Sequence, residues 1–239
     1  MSVPLNRALS KLGILSRAQA TAAIAAGRVR VNGRTVTDPA APVIPERVRI
    51  EIDGAVRPRA AWRTIALHKP RGVLTTRRDP EGRSTVFDLV GDEAAGLVAV
   101  GRLDLATSGL LLLTTDTRLA DRITDPESQT PRVYVVTVRG RVAVADVDRL
   151  LTGVRSRGET LVAAEVTIQK ASSRESHLLV TLLEGRNREV RRLFEAIGHE
   201  VTRLKRIRFG GLDLGDLAPG QWREITRAEI RRAFPHRRY

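Results

Sequence analysis

Four consecutive leucines, Leu110–Leu113, stand directly behind the small-residue run Ala106-Thr-Ser-Gly109. Such a block has no wet face. It belongs to a strand buried on both faces or to a buried helix segment, and periodicity alone does not choose between them. Either element needs a real core, and hydrophobic residues at 42% of the chain can supply one. With aromatics at only 3%, the packing must be aliphatic. A length of 239 residues allows one large domain or two smaller ones. Just ahead of the leucines, one carboxylate, Asp104, sits behind a Gly101-Arg-Leu103 turn. A solvated aspartate there would mean little. An aspartate at the mouth of a buried strand, facing a basic partner, could be a reagent.

The formal net charge is +14 and the sequence pI is about 11.4. A polyanionic partner follows, with nucleic acid the first candidate; a generally basic proteome or a membrane-surface role is the bland alternative. Only four of the 41 basic residues are lysine (Lys11, Lys69, Lys170, Lys205). Arginine favours bidentate phosphate contacts, although base composition of the genome gives the same bias. The chain has no cysteine, so disulfides, thiolate catalysis and zinc ribbons are excluded. The histidines His68, His177, His199 and His236 lack metal-ligand spacing, and no metal is expected. Phosphate-loop, dinucleotide and nucleophile-elbow motifs are all missing, so no cofactor is expected. The first residues carry no apolar signal region and no run reaches membrane-spanning length. A soluble, cytoplasmic protein without a membrane partner is the expectation, with a monomer the simpler guess.

The first quarter reads as a unit of its own. Leu5–Leu12 is a short helix with Leu5, Leu9 and Leu12 on one face, closed by Gly13 in a left-handed conformation. Ser16-Arg-Ala-Gln19 fits a capping box for a second helix, which stops at Gly27. Alternating valines around Asn32-Gly33 predict a tight hairpin, and Val48–Ile52 a further strand. This ααβ pattern resembles the S4 RNA-binding domain. The resemblance implies an RNA surface that includes Arg7, Lys11, Arg17, Arg28 and Arg30.

Beyond a linker, short strands are expected at Thr64–His68, Leu97–Val100, Val133–Val138, Leu161–Lys170, Leu178–Leu183 and Val201–Phe209, with a helix over Val144–Leu151. Asn187 can cap a helix whose Val190, Leu193, Phe194 and Ile197 share one face, ended by Gly198. On that helix Arg191 lies at the edge of the apolar face, while Arg188 and Arg192 point outward to solvent or phosphate. Arg191 can thus supply the cation that keeps Asp104 ionised. An Asp–Arg pair at about 4 Å is worth roughly 4 kcal/mol of Coulomb attraction before desolvation; an ordinary structural salt bridge is the alternative. Tyr134, one of two tyrosines, lies among β-branched residues, either as a core residue or as a face on which a nucleobase stacks.

The stretches GRLDLATSGLLLLTTD, LHKPRGVLTT, RVYVVTV and EGRNREVRRLFEAIGHEVTRLKRIRFG resemble the motifs of ribosomal RNA pseudouridine synthases of the RsuA/RluB type, over nearly the whole chain. The resemblance implies an α+β fold: a small S4-like domain followed by a larger, mainly antiparallel sheet domain with flanking helices. The expected boundaries are an S4-like domain over 1–57, a linker over 58–63, a catalytic domain over 64–228 and a basic tail over 229–239. By motif match Asp104 is the catalytic aspartate, Tyr134 packs on the target base, Arg191 is the aspartate's basic partner and Leu204 is an apolar contact to the base. Arg102, Arg186, Arg188 and Arg192 are further candidates for RNA contact. Arg132 stands where lysine is common, Glu189 where glutamine is frequent, Asp125-Pro126 where His-Pro is frequent and Thr117 where glycine is. The implied substrate is ribosomal RNA, 23S preferred and 16S the runner-up. A non-catalytic rRNA-binding or ribosome-assembly factor and an RNA N-glycosidase are the competing classes.

Overall fold

The computed structural model describes residues 2–15, 17–45, 47–56 and 61–235. The amino-terminal unit begins with β1 (Val3–Pro4), α1 (Leu5–Lys11) and α2 (Arg17–Ala25). Leu5, Ala8 and Leu9 of α1 and Ala20, Ala23 and Ile24 of α2 face each other in one small core. Gly13 takes φ +68° after α1, as expected. The Asn32-Gly33 hairpin joins β2 (Val29–Val31) to β3 (Arg34–Thr35), both turn residues being left-handed. Then follow β4 (Pro42–Val43), paired with β1, and β5 (Ile50–Ile52) and β6 (Ala55–Val56). The small sheet has the order β3-β2-β5-β6. The cap expected at Ser16 and the first half of the expected linker lie outside the described residues.

The larger unit comprises β7 (Thr64–Lys69), α3 (Val86–Val90), β8 (Val98–Val100), β9 (Ser108–Thr114), α4 (Thr117–Thr124), β10 (Arg132–Arg139), α5 (Val144–Thr152), β11 (Val154–Ser156), β12 (Glu159–Leu161), β13 (Glu165–Ala171), β14 (Glu175–Leu182), α6 (Glu189–Ala196), β15 (Val201–Phe209), β16 (Leu212–Asp213), β17 (Trp222–Glu224) and α7 (Arg227–Ala233). Its main sheet runs β13-β14-β10-β15-β9-β7-β17, with β8 beside β9 and β16 beside β15. Of the described pairings between these strands only β15–β9 is parallel. The mixed, mainly antiparallel architecture agrees with expectation.

The leucine block forms β9, a strand buried on both faces. Leu111 and Leu113 join one core cluster and Leu110 and Leu112 the other, because successive strand side chains point to opposite faces. Each buried leucine contributes roughly 1.5–3 kcal/mol, so this strand locks both layers onto the sheet.

Four expectations need adjustment. The strand expected over Leu161–Lys170 is two strands: β12 ends at Leu161, and β13 starts at Glu165 along the sheet edge. The strand expected from Val48 begins at Ile50. The α6 cap is Arg188, with φ 50°, rather than Asn187; no side-chain cap bond forms, and the Glu189 carboxylate accepts the Arg186 N–H instead, at 3.0 Å. The boundary expected at 228/229 runs through α7, whose Ile230, Ala233 and the following Phe234 are buried in the second core cluster.

Candidate active site

The loop between β8 and β9 carries Asp104, and main-chain bonds hold it from several sides. Lys69, at the end of β7, is fully buried. Its Nζ donates to the carbonyls of Pro70 (3.0 Å), Asp104 (3.1 Å) and Thr107 (2.8 Å). The Gly72 N–H donates to Leu105 O at 2.8 Å, the Thr107 N–H to Asp104 O at 3.0 Å, and the Thr75 hydroxyl to Leu103 O at 2.9 Å. The half-buried Asp104 side chain is therefore presented from a rigid turn. Burial pushes the Lys69 pKa down to about 8, against a smaller upward pull from Asp104.

The β10–β15 ladder supplies further residues of the same cavity. Tyr134 pairs with Arg206, Val136 with Leu204 and Arg132 with Phe209, with a register shift between Val133 and Tyr134. That irregularity lets Arg132, Tyr134, Leu204, Arg206 and Phe209 all line one cavity. Gly109 of β9 makes the close approach possible: at φ +111°, a Cβ there would fall 2.1 Å from Arg206 O. Any side chain would force the parallel strands apart. The cavity holds about 260 Å³ and is lined by both Asp104 and Tyr134. That is just below the usual range for small-ligand sites, roughly 300–1,000 Å³.

Asp104, Tyr134 and Leu204 are thus brought together, Tyr134 being 8% and Leu204 5% exposed. Arg102 and Arg188 are exposed on the rim. Arg186 is also on the rim, with its guanidinium on Glu184 and on Thr160 O. Arg191 does not make the direct ion pair expected with Asp104. Its Nη1 donates to Val201 O at 2.9 Å and its Nη2 to Ala106 O at 3.4 Å. These carbonyls sit closer than the carboxylate, so Arg191 ties α6 to the Asp104 loop and acts on Asp104 at longer range. Burial is the main cause of its lowered pKa; Arg188 adds to it and Asp104 opposes it.

Arg192 is not directed to solvent. It is buried, and its Nη2 donates to Ser156 O and to the Glu159 carboxylate, both at 2.8 Å. The hairpin β11–β12 covers that side of α6, which helical spacing alone does not reveal. In the amino-terminal unit Arg7, Arg17 and Arg30 are exposed. Arg28 is forked onto Asp53 at 2.7 and 2.5 Å. Lys11 forms an ion pair with Asp121 of α4, so its charge joins the two units.

Sequence reasoning missed Lys69 and Arg206 as site residues. A lysine closing the apolar strand Thr64-Ile-Ala-Leu-His68 was the available signal for the first. Nothing local marks the second, since its burial depends on β9 and β10. Glu189, noted only as a departure from glutamine, also lines the cavity; burial raises its pKa, foremost over smaller effects of its neighbours. Among the described residues no group of three His, Cys, Asp or Glu could hold a metal ion, and no helix is long and apolar enough to cross a membrane.

Comparison with known proteins extends this geometry. The RNA pseudouridylate synthase family matches residues 63–196, and the S4 domain matches residues 3–47. An uncharacterized RNA pseudouridine synthase of Aquifex aeolicus is 39% identical over 236 residues, covering 98% of this chain and 94% of its own. Ribosomal large subunit pseudouridine synthase B of Escherichia coli O6:H1 is 41% identical over 236 residues, covering 96% of this chain and 81% of its own. A crystal structure of a pseudouridylate synthase superposes with a TM-score of 0.68 at 28% identity, covering 96% of this chain and 98% of that one. A carboxylate and a tyrosine lining one cavity, on a fold and sequence shared with these proteins over nearly all of this chain, identify the chain as a member of the RNA pseudouridylate synthase family carrying an amino-terminal S4 domain.

Proposed function

We propose that this chain isomerises a uridine of ribosomal RNA to pseudouridine, with 23S rRNA the substrate ahead of 16S rRNA, and that Asp104 is the catalytic residue. The observation that carries the reading is the placement of Asp104 and Tyr134 on one cavity of about 260 Å³. The large-subunit assignment rests on similarity to the Escherichia coli ribosomal large subunit pseudouridine synthase B, which matches almost the whole chain.

Inside folded RNA, neighbouring bases shield C1′ and C5 of a uridine. The nucleotide must leave its stack, which costs a few kcal/mol. Exposed Arg102 and Arg188 at the rim hold flanking phosphates, and Tyr134 supports the extruded base by stacking. Asp104 then promotes cleavage of the C1′–N1 bond, by attack on C1′ or by removal of a sugar proton. The detached uracil turns within the cavity and re-bonds through C5, whose hydrogen is released. Arg191 keeps the Asp104 loop and α6 together through Ala106 O and Val201 O.

Asp104→Asn should reduce tritium release from RNA carrying 5-tritiated uridine to background while RNA affinity stays within a few fold. Normal turnover by the variant would remove Asp104 from its role. Pseudouridine mapping in ribosomal RNA from cells with and without the gene tests the substrate; a site lost from 16S rather than 23S rRNA would reverse the preference.

A further inference from the structure

The base cavity is bounded by two buried guanidiniums, and neither is paired to a carboxylate. Arg206 is 2% exposed. Its Nε donates to Leu110 O at 2.8 Å and its guanidinium faces the Tyr134 hydroxyl, yet Nη2 is buried without a partner. Arg132 is 5% exposed, and its Nη1 donates to Thr130 O and Leu183 O at 2.7 and 3.2 Å. Glu184 and Glu189 act on Arg132 at longer range, without an ion pair, and no carboxylate acts on Arg206. Both guanidiniums lie on the Phe209 ring, at 5.2 Å for Arg132 and 4.6 Å for Arg206. Burying an unneutralised cation is strongly unfavourable unless something compensates it, and here two are held within electrostatic range of each other. The arrangement lowers the pKa of both, chiefly through burial. Such a site is built for an anion that is present only during reaction.

We infer that Arg206 and Arg132 form the site that receives uracil as an anion when it leaves the sugar. This rests on the isomerisation proposed above. When the C1′–N1 bond breaks, its electron pair stays on N1 and spreads onto O2 and O4 of the ring. At the sugar, either a carboxylate oxygen of Asp104 bonds to C1′, or Asp104 takes a sugar proton and a C1′–C2′ double bond forms. The base departs with one negative charge in both routes. The two guanidiniums and the Tyr134 ring hold that anion while it turns. When C5 then bonds to C1′, Asp104 leaves C1′ or returns its proton to C2′, and the ring becomes neutral; the C5 proton is then lost to solvent while N1 takes one up.

The test uses leaving-group chemistry. Fluorine at C5 makes the departing base a weaker base, so it needs less help from a cation. Arg206→Gln and Arg132→Gln should slow consumption of uridine in target RNA by about 10²–10³-fold, as for loss of one preorganised donor. Consumption of 5-fluorouridine in the same RNA, followed by mass analysis of the digested nucleosides, should be slowed at least tenfold less. Equal deficits for the two substrates in variants with unchanged melting profiles would overturn the inference. Wild-type protein gives a measurement that needs no variant. With RNA abasic at the target position, it should bind 5-nitrouracil as the anion and lower that compound's apparent pKa, read by absorbance. Absence of binding, or binding indifferent to ionisation, would also overturn it. If wild-type protein makes no pseudouridine at all, the isomerisation reading itself fails, which is a different result from equal deficits in an active enzyme.

Discussion

Replacing Lys69 by methionine separates positioning from folding. The ammonium donates to three carbonyls, of which Asp104 O keeps a second donor in the Thr107 N–H. Removing it therefore strands two carbonyls, Pro70 O and Thr107 O, at about 1–3 kcal/mol each. Against this stands the desolvation of the buried ammonium. A pKa lowered from 10.5 to about 8 corresponds to about 3 kcal/mol at 1.36 kcal/mol per unit. The two effects nearly offset, so Lys69→Met should change stability by no more than about 3 kcal/mol. Activity should fall about 10²-fold, because the Asp104 turn loses its anchor and small misplacements of a reacting group are that costly. Urea melts and tritium release measure the two quantities on one preparation. Activity within twofold of wild type would refute the positioning argument. The pH dependence has a defined sign. Between about 8 and 10.5 the unfolded chain holds the Lys69 proton that the folded chain has released, so this group's contribution to stability rises with pH there. Turnover should do the reverse, falling above about pH 8 as a neutral amine, with one donor fewer, holds the loop. That alkaline limb should vanish in Lys69→Met.

Gly109→Ala should destabilise the fold by several kcal/mol in urea melts, since its Cβ would fall 2.1 Å from Arg206 O at a backbone angle alanine resists; a variant as stable as wild type would mean that β9 and β15 can part freely. Arg192→Ala should lower the melting temperature by loosening the β11–β12 hairpin, yet leave the salt dependence of RNA binding unchanged; a shallower slope would return this residue to the RNA surface. Arg102→Ala, by contrast, should reduce that slope by about one unit in filter-binding titrations across salt. Arg17 and Arg30, both exposed on the S4 domain, should each do the same when changed to alanine, whereas Arg28, already forked onto Asp53, should have a smaller effect.

Much of this protein was legible along the chain because the signals involved are local. The Asn32-Gly33 turn, the α6 apolar face and the β9 leucines each follow from neighbours a few residues apart, and the motif around Asp104 carried the family. Helix caps and strand ends were less legible, as Arg188 in place of Asn187 shows, because competing local bonds decide them. The partners of charged side chains could not be read at all. Arg191 and Arg192 are adjacent on one helix, and sequence spacing gave one to Asp104 and the other to solvent. The fold instead puts Arg191 on the carbonyls of Ala106 and Val201 and buries Arg192 under β11–β12. Likewise only the meeting of β9, β10 and β15 sinks Arg206 beside Tyr134, and only the return of β7 beneath the Asp104 loop makes Lys69 an anchor. Backbone preferences and apolar patterning act over a few residues, so the sequence by itself determined the elements, the aspartate and the basic character. Hydrogen-bond partners and dielectric surroundings depend on segments far apart in the chain, so only the tertiary structure decided which cations hold the loop and which line the cavity.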